Sequence, residues 1–159
     1  MFRAITLGAS LVGGLIVAQL PEFSQQYVQR LGGAVDALAQ VVADFDASAA
    51  SSDLSREEAL AQLQGSEFLD RRGQDMRRTF ARHERLGAQL ERLESAASGV
   101  RAISVLSRPD GEVASATFEA FRPALPVTAD GVMFGGAGFL ASSVLVSSLG
   151  RLFRRRRTA

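Results

Sequence analysis

The sequence predicts a mainly α fold with no β-sheet: two transmembrane helices flanking an extracytoplasmic, coiled-coil-like helical hairpin. Three observations predict it. Uncharged apolar runs stand near both ends, at residues 4–20 and 131–150. Between them, apolar residues recur every three or four positions, the pattern of helices with one buried stripe. The charge is also uneven. Arg3, Arg151, Arg154, Arg155, Arg156 and Arg157 give the ends +6, whereas residues 21–130 carry the other twelve arginines and all seventeen acids, a net −5. The overall +1 conceals that division, and apolar runs beside basic clusters point to a membrane.

The first run reads AITLGASLVGGLIVAQL, seventeen residues without a charge. That is the short limit of the roughly 17–25 residues a membrane helix needs. A cleaved signal peptide is the rival reading, with Met-Phe-Arg as its basic start. Ile16 and Ala18 make a poor small-x-small cleavage site and Pro21 follows closely, so a retained anchor is expected. The second run, GVMFGGAGFLASSVLVSSLG, has twenty uncharged residues, and its serines can bond back to their own helix carbonyls. Arg151 and Arg154 to Arg157 follow at once and are expected to anchor the topology, because cationic flanks stay cytoplasmic. A nucleic-acid patch is the weaker reading of that cluster, and no nucleic-acid partner is expected.

These features divide the chain into an N-terminal transmembrane helix (1–20), an extracytoplasmic, periplasmic helical domain (21–130), a C-terminal transmembrane helix (131–150) and a basic cytoplasmic tail (151–159). Both termini are expected in the cytoplasm of a bacterium with an inner membrane. Small residues four apart, Ser10 with Gly14, Gly131 with Gly135 and Gly138 with Ser142, allow close backbone approach in lipid. Packing of the two spans on each other is preferred over homo-oligomer formation.

In the outer segment Pro21 suits the first turn of a new helix. Phe23, Tyr27, Leu31, Val35, Leu38, Val42 and Phe45 then form one apolar stripe. Phe23, Tyr27 and Leu31 stand closest to the first span and are candidates for a membrane-interface stripe. On the same helical wheel, Gln25, Gln29, Asp36 and Gln40 fall on the other side, with Gly32 and Gly33 among them. Interior glycines disfavour a helix by about 1 kcal/mol each relative to alanine. Either a kink near the membrane or close approach of a second backbone accounts for them. The second is preferred, which makes Gln25, Gln29, Gly32, Gly33, Asp36 and Gln40 the partner-binding candidates.

ASAASSD at 47–53 reads as a polar linker. Ser55-Arg56-Glu57-Glu58 is a capping box opening a short helix that ends near Gly65. Residues 66–97 give the longest helical signal, with Leu69, Met76, Phe80, His83, Leu86 or Gly87, Leu90, Leu93 and Ala97 in register. It suits an antiparallel partner in the preceding helix. Its arginines 71, 72, 77, 78, 82 and 85 alternate with Asp70, Asp75 and Glu84, which suggests a self-paired surface. Arg108-Pro109-Asp110-Gly111 is a turn. Residues 112–121 predict a short helix with Val113, Phe118 and Phe121 facing in, followed by an extended FRPALP. Thr128 or Asp130 can cap the second span.

Three segments in order, PEFSQQYVQRLGGAVD, DLSREEAL and FRPALPVTADGVMFGGAGF, resemble an uncharacterised family of proteobacterial inner-membrane proteins, a domain of unknown function. The resemblance covers essentially the whole chain and implies a small two-span protein without assigned catalytic residues.

The residues themselves offer little chemistry. Cysteine is absent, which excludes disulfides, thiolate nucleophiles and Cys-based metal sites. The one histidine, His83, lies in the apolar register of the long helix without a motif of bases or ligands around it. Gly135-Gly136-x-Gly138 is not a phosphate loop, since no strand precedes it and no Gly-Lys-Ser/Thr follows. No catalytic residue, metal or cofactor is expected. The expected function is a non-enzymatic scaffold or accessory subunit of a membrane complex, with membrane lipids and another membrane protein, or a second copy, as partners. The alternative is a lipid- or small-ligand-binding membrane module.

Overall fold

The computed structural model describes the backbone of residues 2–123 and 128–156, and the side chains of 4, 6–123 and 128–149. The side chains of Arg151, Arg154, Arg155, Arg156 and Arg157, expected to anchor the topology, lie outside the described residues, as do residues 124–126 of the FRPALP segment. Seven helices are present among the described residues and no strand. They are α1 (Phe2–Ala18), α2 (Leu20–Ala50), α3 (Arg56–Gln62), α4 (Glu67–Ser95), α5 (Ser98–Ser107), α6 (Gly111–Ala120) and α7 (Ala129–Arg156). The chain separates into two compact units. One holds α1, α2 through Tyr27, α5, most of α6 and α7; the other holds Val28–Ser95 and Asp110–Val113.

In the first unit α1 and α7 run side by side. α1 with its continuation into α2, and α7 over Ala129–Leu149, are the two helices long and apolar enough to cross a membrane. Their outer faces carry Leu7, Leu11, Leu15 and Ile16 on α1, and Met133, Leu140, Val144 and Leu145 on α7, all more than half exposed. Large aliphatics turned outward in such number are the reverse of a soluble core helix. α1 passes into α2 with a single non-helical residue, Gln19, whose N–H bonds back three residues to the Ile16 carbonyl. Pro21 has no N–H to continue the ladder at this point, and it sits in the first turn of α2. Thr128 caps α7, its hydroxyl accepting from the Gly131 N–H at 3.1 Å.

In the second unit α2 and α4 meet through side chains. Phe45 and Phe80 stack edge to face with centroids 5.3 Å apart, and Gly32 lies opposite Leu90. Those two contacts occur in antiparallel order along the helices. The stripes anticipated on α2 and α4 supply much of the core: Leu31, Val42, Met76, Leu86 and Leu93 are buried. α3 opens with the capping box. The Ser55 hydroxyl accepts from the Glu58 N–H, and the Glu58 carboxylate accepts from the Ser55 N–H at 2.8 Å. Gly65 adopts φ +97° after α3, a conformation that glycine enters without strain.

Three local expectations need correction. The segment 47–53 is not a linker throughout, because α2 continues to Ala50 and buries Ala49. Alanine favours the helix, and the Ser48 hydroxyl bonds back to the Asp44 carbonyl rather than breaking it. The long helix stops at Ser95, Ala97 is exposed, and an additional helix, α5, follows. In α6, Val113 is buried as expected but Phe118 points outward, 75% exposed, while Thr117 takes the inner position. The wheel decides this: Thr117 stands four residues after Val113, one turn along the same face, and Phe118 is rotated off it.

Candidate functional site

The most closely fitted surface is the α1–α7 seam. A side chain at Gly14 would place its first carbon 2.8 Å from the Gly135 carbonyl oxygen and 3.2 Å from Phe139 Cβ. At Gly138 it would meet Val17 Cβ at 2.6 Å and the Gly13 carbonyl oxygen at 3.1 Å. At Gly135 it would meet Ala18 Cβ at 3.3 Å. Ser10 is fully buried, accepts from the Ser143 hydroxyl at 2.7 Å, and donates to the Thr6 carbonyl at 2.7 Å. Ser142 faces Gly13, and Gly131 is buried near the start of α7. Of the small residues singled out in the sequence, Gly14 and Gly135 meet directly, whereas Ser10, Gly138 and Ser142 meet other residues of the opposite helix. Gly13, four residues after Ala9 and not singled out in the sequence, joins them opposite Ser142. Ser10 with Ser143, Gly14 with Phe139 and Ala18 with Gly135 fix the order as antiparallel, so the chain's two terminal helix ends lie on the same side of the pair.

The glutamine and glycine face of α2 has a different character. Gln25, Gln29, Gly33, Asp36 and Gln40 are exposed. A side chain at Gly33 would enter open space, and Gln40 donates only to its helical neighbour Asp44, at 2.8 Å. Gly32 departs from the group. It is half-buried, with Leu90 Cδ2 4.0 Å from where a Cβ would stand, so it borders the contact with α4. The helix runs through both glycines without interruption.

The proposed interface stripe is used inside the protein. Tyr27 and Leu31 are completely buried, and Phe23 is half-buried against Phe121 with ring centroids 5.5 Å apart. Gln26 adds a contact to the Arg122 carbonyl at 3.4 Å and takes the Glu22 carboxylate at 2.9 Å. Phe23 and Gln26 join the start of α2 to the segment after α6, and the buried Tyr27 and Leu31 offer no surface to lipid.

Several charged groups in the second unit are paired. Arg56 holds Asp46 with two bonds, Nε to Oδ1 at 2.8 Å and Nη2 to Oδ2 at 2.5 Å, while its guanidinium lies 4.8 Å from the centre of the Phe80 ring. The hydrogen bonds from Arg56 lower the Asp46 pKa and raise that of Arg56. Bonds from the Ser55 hydroxyl and N–H lower Glu58 in the same way. Asp110 caps α6 through the Val113 N–H at 3.2 Å and receives Arg82 at 3.4 Å and Arg85 at 3.9 Å. Arg82 also reaches Glu112 at 2.8 Å, and Arg71 and Arg78 pair with Glu67 and Asp75. Of the arginines of α4, Arg71 and Arg78 thus pair within the helix, whereas Arg82 and Arg85 pair with acids at the start of α6. An open cleft of about 350 Å³ lies between α3 and α4, lined by Leu60, Leu63, Gly73, Gln74 and Arg77. His83 is half-buried on α4, and no group of three or more metal-ligating side chains is found among the described residues.

Sequence reading missed α5. Val100, Ala102, Ile103, Val105 and Leu106 share one broad arc with Arg101 and Ser104 on the remaining side, but the helix is only ten residues long and follows α4 at once.

A family model described as a protein of unknown function (DUF2937) matches residues 1–158. No curated protein and no solved structure matches the chain.

Proposed function

Because the chain belongs to the DUF2937 family, whose description assigns no activity, we propose a function from its geometry: a non-enzymatic, two-span protein of a bacterial inner membrane that serves as a scaffold or accessory subunit. In this reading α1 and α7 cross the bilayer as an antiparallel pair. The basic C-terminal tail and Arg3 hold both termini in the cytoplasm, and residues 21–130 stand in the periplasm as a helical hairpin. The antiparallel order of the seam supports this, since it requires both termini on one side.

The observation that carries the scaffold reading is the free polar face of α2. Within the spans Gly13, Gly14, Gly135 and Gly138 are engaged in the α1–α7 seam, while Gly8 and Gly136 stand in open space. Gln25, Gln29, Gly33 and Asp36 present amide and carboxylate groups beside a glycine with open space over it. Such a surface suits close approach of another polypeptide backbone, with glutamines supplying both donors and acceptors. Purification of the tagged full-length protein in mild detergent tests the reading. Recovery with a stoichiometric membrane protein, weakened by Gln29→Ala with Asp36→Ala, is expected; recovery alone as a monomer would overturn it. Reporter fusions after residue 65 and at the C-terminus test the orientation independently.

A further inference from the structure

We propose that α5 lies flat in the membrane–water interface, with Val100, Ile103 and Leu106 seated among lipid chains at the outer end of the α1–α7 pair. This rests on the membrane reading above and deepens it by naming a lipid-binding surface that lies outside the two spans. α5 is apolar on its buried side and on the adjoining exposed arc. Ala102 and Val105 are buried, each 1% exposed, whereas Val100, Ile103 and Leu106 are 58%, 61% and 53% exposed. At about 100° per residue these three share one arc of the helix that contains no charged residue. A short helix rarely presents such a face to water, and an apolar face beside an anchored one is the pattern of a helix lying in the plane of an interface.

The position of α5 identifies lipid as the occupant. Gly99 packs on Phe134, with the Phe134 ring 3.6 Å from where a Cβ would stand. Phe134 is adjacent to Gly135, which faces Ala18, the last residue of α1. The beginning of α5 is thus held at the level where α1 ends, beside the exposed Val132 and Met133 of α7. The start of α5 adjoins the apolar belt of the spans at their outer limit. All of these residues belong to the same compact unit.

The chain contains no cysteine, so single cysteines report without a background. Nitroxide labels on Ile103→Cys, Leu106→Cys, Leu140→Cys and Gln29→Cys in the full-length protein, reconstituted in phosphatidylethanolamine–phosphatidylglycerol vesicles, are compared by collision with oxygen and with a water-soluble nickel chelate. Labels at 103 and 106 are expected to favour oxygen several-fold over the label at 29, approaching the label at 140. A nickel accessibility at 103 and 106 equal to that at 29 would place the face in water and overturn the proposal. Low accessibility to both reagents would place it against protein and overturn it equally. If the label at 140 itself met nickel freely, the membrane reading would fail first, and the two failures are thereby distinguished.

Discussion

The α1–α7 and α2–α4 contacts are both antiparallel helix pairings, built from opposite residue types. α1 and α7 meet at Gly13, Gly14, Gly135 and Gly138, with backbone carbonyls close to the glycine α-carbons and one serine–serine bond. α2 and α4 meet through Phe45, Phe80 and Leu90, with Arg56 laid over an aromatic ring. The difference follows from the solvent each pair is proposed to occupy. In water, large apolar side chains associate because burial removes them from solvent. In lipid that drive is absent, and helices associate where small residues allow many close dispersion contacts and a polar bond. The large aliphatics of α1 and α7 accordingly point outward, whereas those of α2 and α4 mostly point toward protein.

The largest expected effect breaks the first contact. Gly138→Leu forces a branched side chain into Val17 and the Gly13 carbonyl, and overpacking of this kind is expected to destabilise by about 3 kcal/mol. The readout is an engineered cross-link. Ser10→Cys with Ser143→Cys places sulfurs where hydroxyls now bond, so oxidation should join the spans in the parent and fail with leucine at 138. A cross-link that forms equally well in both would show that the seam is not set by glycine.

Phe80→Ala breaks the second contact. The ring is only half-buried, so a loss of about 2–3 kcal/mol is expected, below the roughly 3–5 of a fully buried phenylalanine. Thermal unfolding followed by circular dichroism should show a lower midpoint, while the 10–143 cross-link is retained. The pairing of one seam lost and the other kept separates the two contacts. Failure of both together would show that they fold as one cooperative body.

Smaller still is the cap of α3. Ser55→Ala removes the hydroxyl that accepts from the Glu58 N–H, and a loss of about 1 kcal/mol is expected. The pH dependence follows from Asp46 and Glu58, whose pKa values are held down by Arg56 and by Ser55. A carboxylate with a lowered folded value contributes stability that is complete above its ordinary value and disappears as pH falls through the lowered one. The second unit should therefore weaken on acidification below the ordinary carboxylate range. Asp46→Asn and Glu58→Gln should each flatten that decline, as read from unfolding midpoints between neutral pH and pH 3.

Much of this architecture was legible because it is local. The stripe from Phe23 to Phe45, the Ser55–Glu58 box and the Gly65 stop depend on residues within a turn or two of one another, and the helices stand where that pattern puts them. α5 was passed over because its apolar arc extends over only ten residues and follows the long helix at once. Phe118 misled for a related reason: hydrophobicity suggested an inward ring, while register with Val113 turned Thr117 inward instead. Tyr27 and Leu31 belong to a real stripe, yet only burial shows that it is consumed by protein. Ala9 and Gly13 have the same four-residue spacing, but the partner of Gly13, Ser142, stands 129 positions away in the chain and only the contact shows it.

The smallest effect concerns the glycines of α2, where the two solvents would predict opposite outcomes for one substitution. Gly14→Ala in the α1–α7 seam should destabilise, because its new carbon meets the Gly135 carbonyl at 2.8 Å. Gly33→Ala meets nothing within 4 Å, so the lower entropy of alanine should stabilise the helix by up to about 1 kcal/mol. Gly32→Ala should be close to that, since Leu90 stands at ordinary contact distance. A chain that retains glycine where alanine would be more stable has a reason outside its own fold. If that reason is a partner's backbone, Gly33→Ala should raise the unfolding midpoint of the purified protein and lower partner recovery in the same preparation. A raised midpoint with partner recovery unchanged would remove Gly33 from the docking surface and leave Gln25, Gln29 and Asp36 to account for it.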